Sequence, residues 1–102
     1  MNRPEIVKRI GEVLHKVAPN AKAILFGSEA RGEARPDSDI DILILIDKEK
    51  ISLEERQAVT YPLYDIEMET GVQINPIIRP KNLWGRYITP FYENVCKEGI
   101  IL

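Results

Sequence analysis

Two aspartates separated by one residue, Asp39 and Asp41, are the side chains in this sequence best suited to hold a metal ion. On a strand, residues at this spacing point to the same face, with Cβ atoms roughly 7 Å apart. Neighbouring carboxylates repel each other, and a cation relieves that repulsion. Magnesium commonly needs only one or two protein carboxylates in addition to substrate phosphates. The alternative is an exposed strand end that carries two solvated acids.

A glycine–serine pair, Gly27-Ser28, follows a short apolar segment and could bind phosphate. Glycine lets the backbone approach a ligand closely, and turn N–H groups and a serine hydroxyl are hydrogen-bond donors for an anion. Arg31 and Arg35 follow the pair, and either guanidinium could bind phosphate oxygens. The segment is not a Walker loop, because Glu33-Ala34 stands where Lys and Ser or Thr would be required. The alternatives are a structural turn for the pair and surface charge for the arginines.

The elements that would position these residues follow from hydrophobic periodicity and from capping signals. Residues 39–46 form the strongest predicted strand, buried on both faces except where the aspartates open one face to a site. The pattern also predicts strands at 21–26 and 72–78, a short turn or helix at 29–31, helices at 3–18, 52–70 and 90–97, and a short turn of helix near 81–87. This order indicates an α/β or α+β fold with a small mixed sheet flanked by helices.

Prolines and glycines refine that prediction. Pro62 lies inside the second long helix and predicts a kink or a break near Tyr61. Gly71 is placed to end that helix. Pro76 interrupts the third strand, which predicts an edge strand or a bulge.

Length and charge limit the classes of function. With 102 residues, we expect a single domain spanning 1–102. A net charge of -2 argues against a broad nucleic-acid surface. Cys96 is the single cysteine, which favours a reducing, cytoplasmic location, and no apolar run is long enough to predict a membrane span.

Together these residues resemble the DNA polymerase β-like nucleotidyltransferase superfamily, and specifically its minimal, antitoxin-like members. The shared pattern is a hydrophobic residue, Gly-Ser, a loop, and then Asp-hydrophobic-Asp-hydrophobic, which here reads Phe26-Gly27-Ser28 and Asp39-Ile40-Asp41-Ile42. The segments Ala30-Arg31-Gly32 and Arg35-Pro36-Asp37-Ser38 are also similar to the minimal proteins. The resemblance implies a nucleotidyltransferase fold like the polymerase β palm.

The resemblance also implies an activity and a set of roles. A nucleoside triphosphate, with ATP favoured, would bind with its phosphates against Gly27 and Ser28, and Arg31 would be a further phosphate contact. Asp39 and Asp41 would ligate two Mg²⁺ ions. A hydroxyl of a protein partner or a small molecule would attack the α-phosphorus in line, take up the nucleoside monophosphate and release pyrophosphate.

One carboxylate of the family pattern is missing. The third acid should lie on the strand at 72–78, where Asn75 is the expected position. Gln73, two residues earlier, points to the same face of the strand and is the other candidate. An amide contributes no negative charge, so the second metal should bind weakly. It also cannot act as a general base, so turnover is less well supported than nucleotide binding. The alternative function is therefore a catalytically weakened, nucleotide-binding, antitoxin-like module. We expect Asp65, Glu67 and Glu69 to be solvated helix residues rather than substitutes for the missing acid.

Minimal members of this superfamily are often paired with a small helical protein of the HEPN type, which implies such a partner here. A homo-oligomer is the other assembly considered. The apolar C-terminal tail and four aromatic residues could form a surface for either one: Trp84, Tyr87, Phe91 and Tyr92. The alternative is that these aromatics pack the last helix onto the domain.

Overall fold

The computed structural model describes residues 1–102 and has a sheet of four strands flanked by helices. In chain order the elements are α1 (Pro4–Val17), β1 (Lys22–Phe26), α2 (Gly27–Arg31), β2 (Ile40–Ile46), α3 (Leu53–Thr70), β3 (Ile74–Pro80), a 3₁₀ turn (Lys81–Leu83), α4 (Pro90–Glu98) and β4 (Ile100–Ile101).

The sheet is mixed, as the sequence predicts. Its strand order is β3-β2-β1-β4. Strand β1 pairs antiparallel with both β2 and β4, whereas β2 and β3 are parallel. Parallel neighbours need a crossover connection, and α3 provides it. Because β2 lies inside the sheet, both of its edges are hydrogen-bonded and the aspartates at its start are placed between β1 and β3.

The two faces of β2 pack against different partners. Ile40, Ile42 and Ile44 belong to the larger core cluster, which includes residues of α1 and α3. Leu43 and Leu45 belong to a smaller cluster with Val95 of α4, against which Trp84 and Phe91 pack. Since side chains alternate along a strand, Asp41 lies on the face that carries α4.

Helix α3 begins and ends as its sequence predicts. Ser52 is the N-cap and forms a capping box with Glu55, and Gly71 ends the helix at a φ of 73°. The predicted break near Tyr61 is wrong, because the helix runs unbroken through Pro62. The buried residues of its core-facing side hold it on the sheet despite the missing N–H: Val59, Leu63 and Ile66. Neither α3 nor any other helix is long and apolar enough to span a bilayer.

Several elements differ from the sequence-based prediction. The turn of helix predicted near 81–87 is only a 3₁₀ turn at Lys81–Leu83. Strand β2 begins at Ile40, so Asp39 immediately precedes it. Strand β3 begins at Ile74 rather than at residue 72, and it is an edge strand, as Pro76 indicates. The C-terminal tail forms β4, a strand that was not predicted. Its pairing with β1 covers the edge of the sheet opposite β3.

Candidate functional site

The candidate site lies where Asp41 is flanked by a residue from each neighbouring strand. Asp41 is in register with Phe26 of β1 and with Asn75 of β3. The Asn75 side-chain amide donates a hydrogen bond of 3.1 Å from Nδ2 to Asp41 Oδ1. Gln73 precedes β3, and its backbone carbonyl accepts the Ile40 N–H at 2.9 Å. Of the two amides considered for the position of the third acid, the one that faces Asp41 is therefore Asn75.

The turn at Gly27 lies directly against Asp41. Gly27 has a φ of +76°, and a Cβ built on it would lie 2.4 Å from Asp41 Oδ2. No side chain fits in that space, and a positive φ of this size strains any residue with a Cβ. Gly27 therefore lets the start of α2 approach the carboxylate.

The carboxyl of Asp41 is in an unfavourable environment for negative charge. Partial burial raises its pKa above the ordinary value, the hydrogen bond from Asn75 opposes that rise, and the negative charge of Asp39 adds to it. Asp39 is itself only partly exposed. A carboxylate in such an environment suits a divalent cation, which would stabilise the charged form of Asp41.

The donor set around such a cation is small. No three or more His, Cys, Asp or Glu side chains converge anywhere in the chain. Asp39 and Asp41 would thus supply two carboxylates to a cation, and its remaining ligands would be water and phosphate oxygens, which is a set that suits magnesium. Asn75 presents its amide N–H₂ to Asp41 and adds no negative charge.

Arg31 is held by two glutamates at the end of α2. Its Nη1 donates to Glu98 at 3.0 Å and its Nε donates to Glu33 at 3.0 Å, while Nη2 makes no hydrogen bond to the protein. The other oxygen of Glu98 accepts the Gly27 N–H at 3.1 Å. These contacts raise the pKa of Arg31 and lower that of Glu98. The carboxylate of Glu98 therefore connects α4 to both ends of α2.

Ser28 and Arg35 occupy different situations. Ser28 is partly buried, and its hydroxyl makes no hydrogen bond within the protein. Arg35 is exposed, and its backbone N–H donates to the Ser38 hydroxyl at 2.9 Å. Ser28 and Arg31 thus lie on α2 beside the aspartates, whereas Arg35 belongs to the exposed loop that leads to them.

A buried ion pair that the sequence did not indicate connects α2 to the loop before Asp39. Glu29 is fully buried and accepts hydrogen bonds from the backbone and side chain of Arg3, at 2.7 and 2.6 Å. Arg3 also donates from Nη1 to the Ser38 carbonyl at 2.8 Å. The network therefore fixes α2 relative to the residue that precedes Asp39. Nothing in the local pattern distinguishes Glu29 from the exposed Glu33.

The three acids of α3 do not replace the missing carboxylate. Asp65 is exposed, Glu69 forms an ion pair with Arg9, and Glu67 accepts the Ile74 N–H at 2.7 Å. The expectation that Glu67 is solvated is therefore wrong, because its side chain is partly buried and hydrogen-bonded to β3. Helix α3 packs on the sheet face opposite to Asp41, so its acids are separated from the site by the sheet.

The aromatic residues after β3 pack mainly on one another. Phe91 makes edge-on contacts with Phe26 and Trp84, with ring centroids 5.3 and 5.7 Å apart. Trp84 also contacts Tyr92 at 5.0 Å, whereas Tyr87 is 80% exposed. They border a cleft of about 390 Å³ above the C-terminal half of β3. Packing of α4 explains Phe91 and Trp84, and Tyr87 remains at the surface.

Comparison with known proteins agrees with this geometry. Residues 6–101 match the nucleotidyltransferase domain family. The chain belongs to that family. Two relatives from Methanocaldococcus jannaschii carry the provisional name protein adenylyltransferase. One is 33% identical over 98 residues, which cover 94% of each chain. The other is 39% identical over 85 residues, which cover 79% of this chain and 76% of the relative.

Solved structures support the fold of this nucleotidyltransferase. A protein provisionally described as a minimal nucleotidyltransferase is 30% identical, with a TM-score of 0.64 over all of this chain and 97% of its own. A toxin–antitoxin structure with AMP-PNP is 20% identical, with a TM-score of 0.63 over 99% of this chain and 72% of its own. The resemblance to the minimal nucleotidyltransferases is thereby confirmed, as is the mixed α/β fold.

Proposed function

We propose that this nucleotidyltransferase transfers AMP from ATP to a hydroxyl of a partner protein. The observation that carries the proposal is that two parts of the family motif, the turn at Gly27 and the carboxylate of Asp41, lie directly against each other, with the amide of Asn75 bonded to that carboxylate. The provisional names of the two archaeal relatives support adenylyl as the transferred group and a protein as the acceptor. A small-molecule hydroxyl is the other acceptor class.

Each residue of the site has a proposed part in binding the nucleotide. The Ser28 hydroxyl and Arg31 Nη2 have no partner within the protein and are the donors that we assign to the polyphosphate. Asp39 and Asp41 are the proposed Mg²⁺ ligands. When bound, Mg²⁺ would supply the positive charge that neutralises the phosphates and stabilises the attacking and leaving oxygens.

The proposed transfer exchanges one P–O bond for another. The acceptor hydroxyl oxygen forms a bond to the α-phosphorus, the bond from that phosphorus to the α–β bridging oxygen breaks, and pyrophosphate leaves with the bonding electrons. The hydroxyl proton passes to solvent water. Asn75 cannot accept it, because an amide is not a base at neutral pH. The chain's contribution is thus binding and orientation, and we expect slow turnover.

A second candidate function follows from the same residue. Asn75 in place of an acid favours a module that binds nucleotide with little or no turnover. In that case the chain would act through a partner, as an antitoxin does. Likeness to toxin–antitoxin structures supports an assembly of this kind, and a helical HEPN-type protein is the proposed partner, with a homo-oligomer as the alternative.

Isothermal titration calorimetry with Mg²⁺ and ATP, together with labelling by [α-³²P]ATP and a co-purified partner, tests both candidates. If the chain transfers AMP, it should bind ATP and the partner should become labelled. Both the binding and the label should be absent when Asp39→Asn and Asp41→Asn are combined. ATP binding without label across all four triphosphates, with either Mg²⁺ or Mn²⁺, would favour the second candidate. Absence of binding to any triphosphate would contradict both.

A further inference from the structure

The structure assigns a role to Glu98, a residue that lies outside the family motif. We propose that Glu98 is a positioning residue, which holds the Gly27 turn and Arg31 so that Ser28 and Arg31 Nη2 are presented to the polyphosphate. The inference rests on the proposed function, because it concerns the phosphate-binding end of the same site.

Glu98 holds both ends of α2 at once. One carboxylate oxygen accepts the Gly27 N–H at 3.1 Å and the other accepts Arg31 Nη1 at 3.0 Å. A guanidinium held at Nη1 by Glu98 and at Nε by Glu33 cannot rotate freely. Its remaining nitrogen, Nη2, is the one with no protein partner. Two fixed hydrogen bonds therefore determine which edge of Arg31 is available to a ligand.

The backbone that carries Glu98 is itself fixed. A Cβ on the next residue, Gly99, would lie 2.4 Å from the Val95 carbonyl oxygen and 2.7 Å from Ile24 Cγ2, so that the turn packs directly on β1. Beyond it, Ile100 pairs with Leu25, and the Leu102 N–H donates to the Ala23 carbonyl at 3.0 Å. The carboxylate is thus presented from a rigid connection between α4 and β4. A carboxylate that moved out of the site when the nucleotide bound would not need this anchoring.

Charge gives Glu98 a second effect on the site. Glu98 binds Arg31 and also the Gly27 turn, which lies directly against Asp41. An arginine released from Glu98 would be drawn to the carboxylates of Asp39 and Asp41, where it would compete with a metal ion. By pairing with Arg31, Glu98 keeps the guanidinium at the phosphate end and leaves the aspartates for the cation.

The test measures binding of Mg²⁺-ATP and Mg²⁺-tripolyphosphate by calorimetry to wild type, Glu98→Ala and Glu98→Gln. We expect Glu98→Ala to bind both ligands about tenfold more weakly, the effect of losing roughly one hydrogen bond to a charged group. Glu98→Gln keeps a neutral acceptor and should bind with intermediate affinity. Glu93→Gln, which removes a charge from an exposed position on the same helix, should bind like wild type.

A double-mutant cycle shows whether Glu98 acts through Arg31. The losses caused by Glu98→Ala and Arg31→Ala should be less than additive, because both remove the same oriented donor. Additive losses, or unchanged or tighter binding in Glu98→Ala, would overturn the positioning role. If wild type bound neither ligand, the proposed function would fail as well, so the two failures are distinguishable.

A ligand-free measurement covers the case in which Glu98→Ala does not fold. Hydrogen exchange of the Gly27 backbone N–H, which donates to Glu98, should be slow in wild type and faster in Glu98→Gln when followed by NMR, because a neutral amide oxygen is a weaker acceptor than a carboxylate. Equal exchange rates in the two proteins would contradict the proposal.

Discussion

Asn75 donates its side-chain amide to the carboxylate of Asp41 at 3.1 Å, in the parallel register that pairs the two residues across β2 and β3. The position on β3 that faces Asp41, a candidate metal ligand, is therefore occupied by a neutral side chain. The resemblance described above implies an acid at this position.

Replacement of Asn75 by Asp should increase nucleotide transfer, because it restores a carboxylate beside Asp41. Without Mg²⁺ the added charge should destabilise the fold by about 1 kcal/mol, the repulsion expected for two charges at 4 Å in water. Thermal unfolding with and without Mg²⁺, together with labelled-ATP transfer, measures both effects. Gln73→Asp is the matched control, since residue 73 precedes β3 and the hydrogen bond to Asp41 comes from Asn75. Equal activity in the two variants would contradict the assignment of Asn75.

Removal of the charge from both aspartates should abolish Mg²⁺-dependent nucleotide binding. Asp39→Asn combined with Asp41→Asn leaves no carboxylate for the cation, so calorimetry should detect no heat of ATP binding. Asp37→Asn, at an exposed position of the same loop, should bind as wild type does. Wild-type affinity in the double variant would show that the metal site lies elsewhere.

Substitution of Gly27 by Ala should impair both stability and the site. Gly71→Ala is a matched control, because Gly71 has a similar φ, +73°, with no atom within 4 Å of a built Cβ. We expect the control to lose about 1 kcal/mol from backbone strain. Gly27→Ala should lose at least about 1 kcal/mol more through overpacking against Asp41, and should weaken nucleotide binding. Denaturant unfolding and calorimetry give the two quantities, and equal losses in the two variants would show that the contact with Asp41 has no energetic role.

The buried ion pair of Glu29 and Arg3 should control stability at acid pH. Burial alone would raise the pKa of Glu29, but the hydrogen bonds from Arg3 and Asn2 lower it below its ordinary value of 4.5. Since the folded-state pKa is the lower one, the pair stabilises the protein above the unfolded-state pKa. Its contribution is lost as the pH falls through the folded-state value.

Glu29→Gln tests that expectation. We expect a loss of about 3 kcal/mol at neutral pH, because Arg3 would be left with its charge largely buried and unpaired. Glu12→Gln, which removes one partner of the exposed pair with Lys8, should change stability by less than about 0.5 kcal/mol. Urea unfolding from pH 7 to pH 3 should also show a flatter acid limb in Glu29→Gln. An unchanged acid limb would exclude Glu29 as its source.

The local parts of the fold and site could be predicted from sequence because their signals lie in neighbouring residues. Alternation placed Asp41 and Asn75 on one face of the sheet, and the capping residues Ser52 and Gly71 gave the ends of α3. The break expected at Pro62 did not occur, since burial of the helix face outweighs one missing hydrogen bond. The residues around Pro62 predict a break, but they do not show the packing against the sheet that prevents it.

The parts that could not be predicted depend on contacts between distant residues. Glu98 and Gly27 are 71 positions apart, and the bonds from Arg3 to Glu29 span 26 positions. Strand β4 consists of Ile100 and Ile101 and forms only by pairing with β1, so two residues carry too little pattern to predict it. The residues that hold the site in shape were thus less visible in the sequence than the residues that form it.

The placement of Asn75 on the edge strand separates the hydrogen-bond partner of Asp41 from the hydrophobic core. Its side chain is exposed and takes no part in the hydrophobic core, whereas β1, which leads to Gly27, and β2, which carries Asp41, lie inside the sheet. Exchange of amide for acid at this position would therefore change the proposed catalytic site without altering the buried strands beside it.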